Sequence, residues 1–166
     1  MRNHCDNKRM RVSDVMQTDV ITVPKGMVWR NVIQLLLRSN ISGAPVVDAD
    51  GHVIGVVSEK DLFRSLYPSY HDWYEGPDSF VSAEQMESEA QQVSKERPVE
   101  ELMSKRLMTV SPDLPLVQVG AMMMSTGVHR IPVLKEGKLV GVVSRREVFR
   151  AILKEYMHIN EQGEEI

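Results

Sequence analysis

A single cysteine, Cys5, occurs in the 166 residues of the chain. It has no partner for an intrachain disulfide, so cross-links do not hold the fold, and a reducing, cytoplasmic setting is the expectation. Aromatic residues are scarce at 5%, although hydrophobic residues make up 42%. Aliphatic side chains and the 11 methionines must therefore fill most of the core. Neither sign of charge dominates, the formal net charge being −3, and a basic surface for nucleic acid is not expected. No apolar run approaches the ~18 residues that a membrane-spanning helix needs. The first residues, with Arg2, His4, Asp6, Lys8 and Arg9, lack the apolar stretch of a signal peptide. Cys/His metal spacing, a glycine-rich phosphate loop followed by Lys-Ser/Thr and a G-x-S-x-G elbow are all missing. His4, Cys5 and Asp6 are ligand-type residues at a chain end, where an ordered metal site is not expected. Without a nucleophile–base pair or metal ligands, the chain does not read as an enzyme.

The chain does contain an internal repeat. Shifted by 87 residues, Val12 falls on Val99, Met16 on Met103, Thr22-Val23 on Thr109-Val110, Val32 on Val119 and Pro45-Val46 on Pro132-Val133. One residue is lost in a turn. At an offset of 86, Gly51, Gly55-Val56-Val57-Ser58 and Phe63-Arg64 then fall on Gly137, Gly141-Val142-Val143-Ser144 and Phe149-Arg150.

Each copy has the same grammar. An extended piece (Val20 to Val23; Leu107 to Val110) leads to a helix over about Val28–Ser39 and Leu116–Thr126, where Val28, Val32, Leu35 and Leu36 mark one apolar face of the first. Asn40 and Gly127, just past these helices, both tolerate the left-handed conformation that ends a helix. Two β-rich runs follow, Ala44–Asp48 and His52–Val57 in the first copy, Ile131–Leu134 and Lys138–Val143 in the second. They are joined through Asp50-Gly51 and Glu136-Gly137, which are hairpin signals. A second helix runs from Glu59 to about Leu66 and from Arg145 to about Leu153. The predicted class is α+β, with two β-α-β-β-α motifs. Neither can bury its sheet alone, so they should pack about a pseudo-twofold axis.

The expected boundaries are a first motif over 10–66, an acidic connector over 67–98, a second motif over 99–157 and an acidic, frayed tail over 158–166 with Glu161, Glu164 and Glu165. The connector begins as loop, with Pro68, Gly76 and Pro77. From Ser82, a suitable N-cap, it shows a weak helical stripe of Met86, Ala90 and Val93, read as a solvated helix. Met122-Met123-Met124 reads as core and groove filler, and Trp29 as packing or an oligomer contact.

The candidate site residues follow the hairpins. Each copy leaves its last strand through Gly-Val-Val-Ser into a helix, as Ser58-Glu59-Lys60-Asp61 and Ser144-Arg145-Arg146-Glu147. Serine with an acid three residues later makes a capping box. The same carboxylate can accept hydrogen bonds from a ribose diol, as acids do in dinucleotide folds. In the second copy His129-Arg130 stands directly before a strand, where the first has Ser42-Gly43. Arg there suits either a strand-end surface position or a cationic phosphate pocket.

Taken together, the repeat, the Thr-Val strand, Pro-Val, Gly-Val-Val-Ser-x-x-Asp and His-Arg-Ile-Pro-Val resemble a tandem CBS (cystathionine beta-synthase) domain pair of the kind found in stand-alone prokaryotic CBS domain proteins. The resemblance covers about residues 12–66 and 99–153. It implies two clefts between the motifs that take adenosine-type ligands, a regulatory role with an effector partner, and a homodimer. Carried over residue by residue, the main cleft would use Asp61 for the ribose and Ser58, Val56 and Val57 for the nucleoside. The main chain of Thr109 and Val110 would meet adenine, and His129, Arg130 and Arg146 would hold phosphate. The second cleft would use Thr22, Val23, Val142, Ser144 and Glu147, with Lys60 as its one cation. Glu147 departs from the usual Asp and Ser42-Gly43 replaces His-Arg, so a weaker or empty site is expected there. The cations favour AMP, ADP or ATP over S-adenosylmethionine, which has no phosphate. A ligand-free interaction module is the competing reading.

Overall fold

The helices and strands follow from the apolar spacing and the punctuation between them. In the computed structural model, which describes residues 9–67, 83–92, 95–160 and 162–164, the chain divides into two units, Ile21–Leu107 and Met1–Val20 with Met108–Ile166. His4, Cys5, Asp6, Pro68, Gly76, Pro77, Ser82, Val93, Glu161, Glu165 and the side chain of Met86 lie outside the description.

The first unit holds β1 (Val23–Pro24), α1 (Trp29–Arg38), β2 (Gly43–Val47), β3 (Val53–Ser58), α2 (Glu59–Leu66) and α3 (Ala83–Gln92). Its sheet has the order β1-β2-β3, with β1 parallel to β2 and β2 antiparallel to β3. Val32 and Leu36 on α1, Val46 and Val57 on the sheet and Leu62 on α2 close on one another in its core. α1 stops where Asn40 turns left-handed (φ 50°). Ile41 N–H then reaches back to Leu36 O at 3.1 Å and Asn40 N–H to Leu37 O at 3.2 Å, the paired bonds of a Schellman ending. Trp29 is 1% exposed and belongs to this core, not to the surface. On α3, Glu84, Glu87, Ser88 and Gln91 are exposed, in keeping with a solvated helix.

The second unit holds α4 (Leu116–Thr126), β4 (Arg130–Lys135), β5 (Lys138–Ser144) and α5 (Arg145–Met157). β4 and β5 form an antiparallel hairpin whose turn residues Glu136 and Gly137 both have positive φ, 53° and 80°, as a type I′ turn requires. Val119, Met123, Ile131, Val133, Val143 and Val148 lie in the core. Met122 is half-buried and Met124 is exposed. The extended piece expected over Leu107–Val110 shrinks to one parallel bridge, Val110 to Val133. α5 runs one turn further than its apolar pattern suggested, through Lys154 and Glu155, and ends at left-handed His158.

The compact units do not coincide with the repeats, because the leading segment of each repeat packs in the unit formed by the other. Val12 lies in the core with α4 and β4, and Val99 in the core with α1 and β2. The hydrogen bonds are reciprocal. Val12 N–H donates to Leu114 O (3.0 Å) and Leu116 N–H to Met10 O (2.8 Å), while at equivalent positions Val99 N–H donates to Met27 O (2.9 Å) and Trp29 N–H to Arg97 O (2.9 Å). Neither α1 nor α4 has a side-chain N-cap. The exchanged segment supplies the carbonyl that takes their first free N–H. Each segment also pairs with the outer edge of a hairpin strand, Ser104 with Val56 and Gln17 with Val142. Room for this comes from glycine. A Cβ on Gly55 would run into the Met103 thioether, and one on Gly141 would lie 2.9 Å from Met16 Sδ.

Candidate functional site

In each unit the candidate residues lie where its last hairpin strand turns into a helix. In the first unit Ser58 caps α2. Asp61 N–H donates to Ser58 Oγ at 3.4 Å, and the Asp61 carboxylate reaches back through Oδ2, which accepts from Ser58 N–H at 2.9 Å and Ser58 O–H at 2.5 Å. Asp61 Oδ1 takes no bond among the described residues. The capping box and a free acceptor therefore coexist on one carboxylate. Lys60, on the first turn, is exposed and forms no ion pair among the described residues.

The second unit repeats the box with a difference. Glu147 N–H donates to Ser144 Oγ at 3.3 Å and Glu147 Oε2 accepts from Ser144 N–H at 3.0 Å, but Oε1 accepts a short bond from the Gln17 side-chain amide. Both carboxylate oxygens are thus engaged. Gln17 was not among the residues singled out from the sequence. Nothing in the local pattern connects it with a carboxylate 130 residues away.

Three cationic candidates gather at one end of the second unit. Arg130 opens β4 opposite Ser144, and Arg145 N–H donates to His129 O at 2.8 Å, so His129 and Arg130 lie beside the first turn of α5, which carries Arg146. His129 and Arg146 are exposed and Arg130 half-buried, and none of the three side chains has a polar partner among the described residues. Two guanidinium groups placed this way favour an anion.

Several assignments narrow. The Val57 side chain is fully buried in its own core and cannot line a nucleoside. Val56 is half-buried, with both main-chain groups committed to Ser104 at 2.9–3.0 Å, so only its side chain is on offer. Val110 is 5% exposed, its N–H goes to Pro132 O (3.1 Å) and its C=O takes Leu134 N–H (2.9 Å). Thr109, exposed and outside this pairing, is left to make main-chain contacts. The matching residues of the weaker half-sites fare likewise. Val23 is buried, Val142 is buried with its main chain paired to Gln17 at 2.9 Å, and Thr22 is half-buried.

Asp48, Asp50 and His52, not singled out from sequence, bring three ligand-type atoms within 4.8 Å. Their geometry is that of the β2–β3 turn, in which Asp48 Oδ1 accepts from Asp50 N–H (3.0 Å) and His52 N–H (2.8 Å). Those bonds, His52 first, hold the Asp48 carboxyl below the usual carboxylate range. Among the described residues no helix is long and apolar enough to cross a membrane.

A β-α-β-β-α repeat with serine-capped helices after Gly-Val-Val-Ser defines a class of tandem small-domain modules, and the comparisons give it a family. The model of the CBS domain matches residues 12–68 and 99–154, so the chain belongs to the CBS domain family, as a tandem pair. Among curated proteins it is 26% identical over 156 residues to protein MJ1426 of Methanocaldococcus jannaschii, covering 87% of this chain and 92% of that one. It also matches the A-adding tRNA nucleotidyltransferase of Aquifex aeolicus at 24% identity, but spans only 14% of that protein. Among solved structures, the CBS-pair protein CBSX2 of Arabidopsis thaliana superposes with a TM-score of 0.70 at 23% identity, covering 90% of this chain and 98% of that one. CBSX2 has also been solved in complex with AMP. The CBS domain pair of protein MJ0100, in complex with 5′-methylthioadenosine and S-adenosyl-L-methionine, superposes with a TM-score of 0.67 at 20% identity over 89% of this chain and 98% of that one.

Proposed function

We propose that this chain is a regulatory module that binds an adenine nucleotide, with one good site and one weak one. The observation that carries the reading is that each unit offers one kind of group that a nucleotide needs. Among the described residues, Asp61 Oδ1 is unused in the first unit, and His129, Arg130 and Arg146 are unpaired in the second. A nucleotide with its ribose on Asp61 and its phosphate on Arg130, Arg146 and His129 would satisfy both. Ser58, Val56 and Thr109 complete the contacts. AMP, ADP and ATP all fit that chemistry, and S-adenosylmethionine, without a phosphate, offers only a carboxylate to the arginines. The relatives solved with AMP and with methylthioadenosine and S-adenosylmethionine are consistent with an adenosine-type ligand. Regulation requires that the ligand bind two arrangements of the chain with different affinity and that an effector protein read the difference. No catalytic role is part of the proposal, and the single Cys5 suits a cytoplasmic protein.

The test is calorimetric titration of ligand-free protein with AMP, ADP, ATP and S-adenosylmethionine. Saturable binding of a nucleotide, one per chain and tighter than S-adenosylmethionine, is expected. No binding by any of the four refutes the reading.

One observation favours self-association as a companion role. Val117 and Met124 on α4 are 51% and 70% exposed, and Leu153, Tyr156 and Met157 on the adjoining α5 are each at least 60% exposed. Of the α1 positions equivalent to Val117, Ala121 and Met124, the first two are polar, Arg30 and Gln34, and the third is the exposed Leu37. An unsatisfied apolar face of this kind suits a homodimer seam. Met124→Glu should lower the sedimentation mass towards the monomer, and an unchanged mass removes this face from the seam.

A further inference from the structure

The two capping boxes differ in a way that the repeat makes comparable. Gln17 and Ser104 occupy equivalent positions on the exchanged segments, and each has its main chain locked to a hairpin strand. Gln17 bonds Val142 in both directions at 2.9 Å, and Ser104 bonds Val56 at 2.9 and 3.0 Å. From that anchored position the Gln17 side chain reaches Glu147 Oε1, the oxygen that Ser144 leaves unused. Ser104 makes no such bond to Asp61, whose Oδ1 stays free among the described residues.

We infer that Gln17 is a specificity-determining residue that acts as an internal competitor at the weaker half-site. Its amide N–H holds the acceptor that a ribose hydroxyl needs, so the chain takes one nucleotide where its repeat symmetry offers two. The inference rests on the nucleotide-binding reading above. Chemically the substitution is direct, because a side-chain amide N–H and a ribose O–H are both neutral donors to a carboxylate, and only one is tethered. Tethering gives Gln17 a high effective concentration that a dissolved ligand must overcome.

Orienting Glu147 for a ligand is the opposite role, and the two differ in sign and are separated by experiment. Gln17→Ser installs the residue that the equivalent position already tolerates. It keeps both main-chain bonds to Val142, so the thermal midpoint should stay within a few degrees of the parent. AMP is titrated into the parent, Gln17→Ser, Asp61→Ala and the Asp61→Ala/Gln17→Ser double variant. At AMP concentrations that saturate the parent but not a site weakened about ten- to a hundredfold, the expectation is one AMP per chain for the parent, two for Gln17→Ser, none for Asp61→Ala and one for the double variant. Removing a competing bond to a charged acceptor should tighten the second site about tenfold or more. One AMP in both parent and Gln17→Ser, with none in the double variant, overturns this inference and leaves the nucleotide-binding reading standing. Weaker second-site binding in Gln17→Ser assigns Gln17 the orienting role and overturns it too. No AMP bound by the parent or by Gln17→Ser overturns both.

Discussion

Replacing Gly141 by alanine should loosen the exchanged segment from the second unit, and the structure says by how much. A Cβ at Gly141 would lie 2.9 Å from Met16 Sδ, 3.0 Å from Gln17 O and 3.2 Å from Met16 Cγ. The thioether can swing aside, but the Gln17 carbonyl is main chain and is bonded to Val142 N–H at 2.9 Å. Overpacking of this kind costs about 1–3 kcal/mol. Straining the two Gln17–Val142 bonds, at about 1 kcal/mol each, puts Gly141→Ala in the upper part of that range. In a chain of this size ~2 kcal/mol lowers Tm by about 4–8 °C. Met16→Ala alone leaves a partial cavity under a half-buried side chain and should cost about 2 kcal/mol, the low end for Met→Ala. Together they should cost less than the sum, because removing Met16 clears two of the three close contacts. The coupling should be ~1 kcal/mol, beyond the ~0.5 kcal/mol within which independent sites add. At Gly55 the three nearest atoms all belong to the Met103 side chain, so Gly55→Ala with Met103→Ala should couple more strongly. Denaturant titration of both cycles reads these terms. Additive costs, or a neutral Gly141→Ala, would refute the argument that each methionine is seated on the glycine of the other repeat.

Two further outcomes follow from the core and the first hairpin. Trp29→Ala should cost about 3–5 kcal/mol by thermal or chemical denaturation. Trp29→Phe should cost much less, since the buried indole N–H it removes has no hydrogen-bond partner among the described residues; equal losses would contradict the burial argument. Asp48 is more acidic when folded, chiefly because His52 N–H donates to its carboxylate, with help from Asp50 N–H. The turn is therefore stabilised above the unfolded pKa, and that stabilisation is lost as pH falls through the lower folded pKa. Carbon-detected NMR titration should place the Asp48 midpoint below that of a free aspartate, and a midpoint at or above it removes the turn bonds from the account.

Much of this fold was legible in the sequence because its signals are local. Apolar spacing gave α1 and α4 to within a residue or so, Asn40 and Gly127 took the left-handed endings expected of them, and Ser58 with Asp61 and Ser144 with Glu147 formed the expected capping boxes. The repeat showed that Val12 matches Val99, but not which copy each leading segment packs on. Either choice buries the same side chains, and only the assembled core decides. The same blindness hid Gln17, whose partner lies in the other repeat. It also left Val57 and Val110 as candidate contacts, since a Gly-Val-Val-Ser pattern does not reveal which valine faces inward or which main-chain groups a neighbouring strand consumes.

The central claim is that Asp61 anchors the ribose of a nucleotide. The most direct measurement is calorimetric titration of the parent and Asp61→Ala with AMP and with adenosine. Hydrogen bonds to a charged group contribute about 1.5–3 kcal/mol, so Asp61→Ala should weaken both ligands by about ten- to a hundredfold. Unchanged affinity of Asp61→Ala for either ligand would contradict the account.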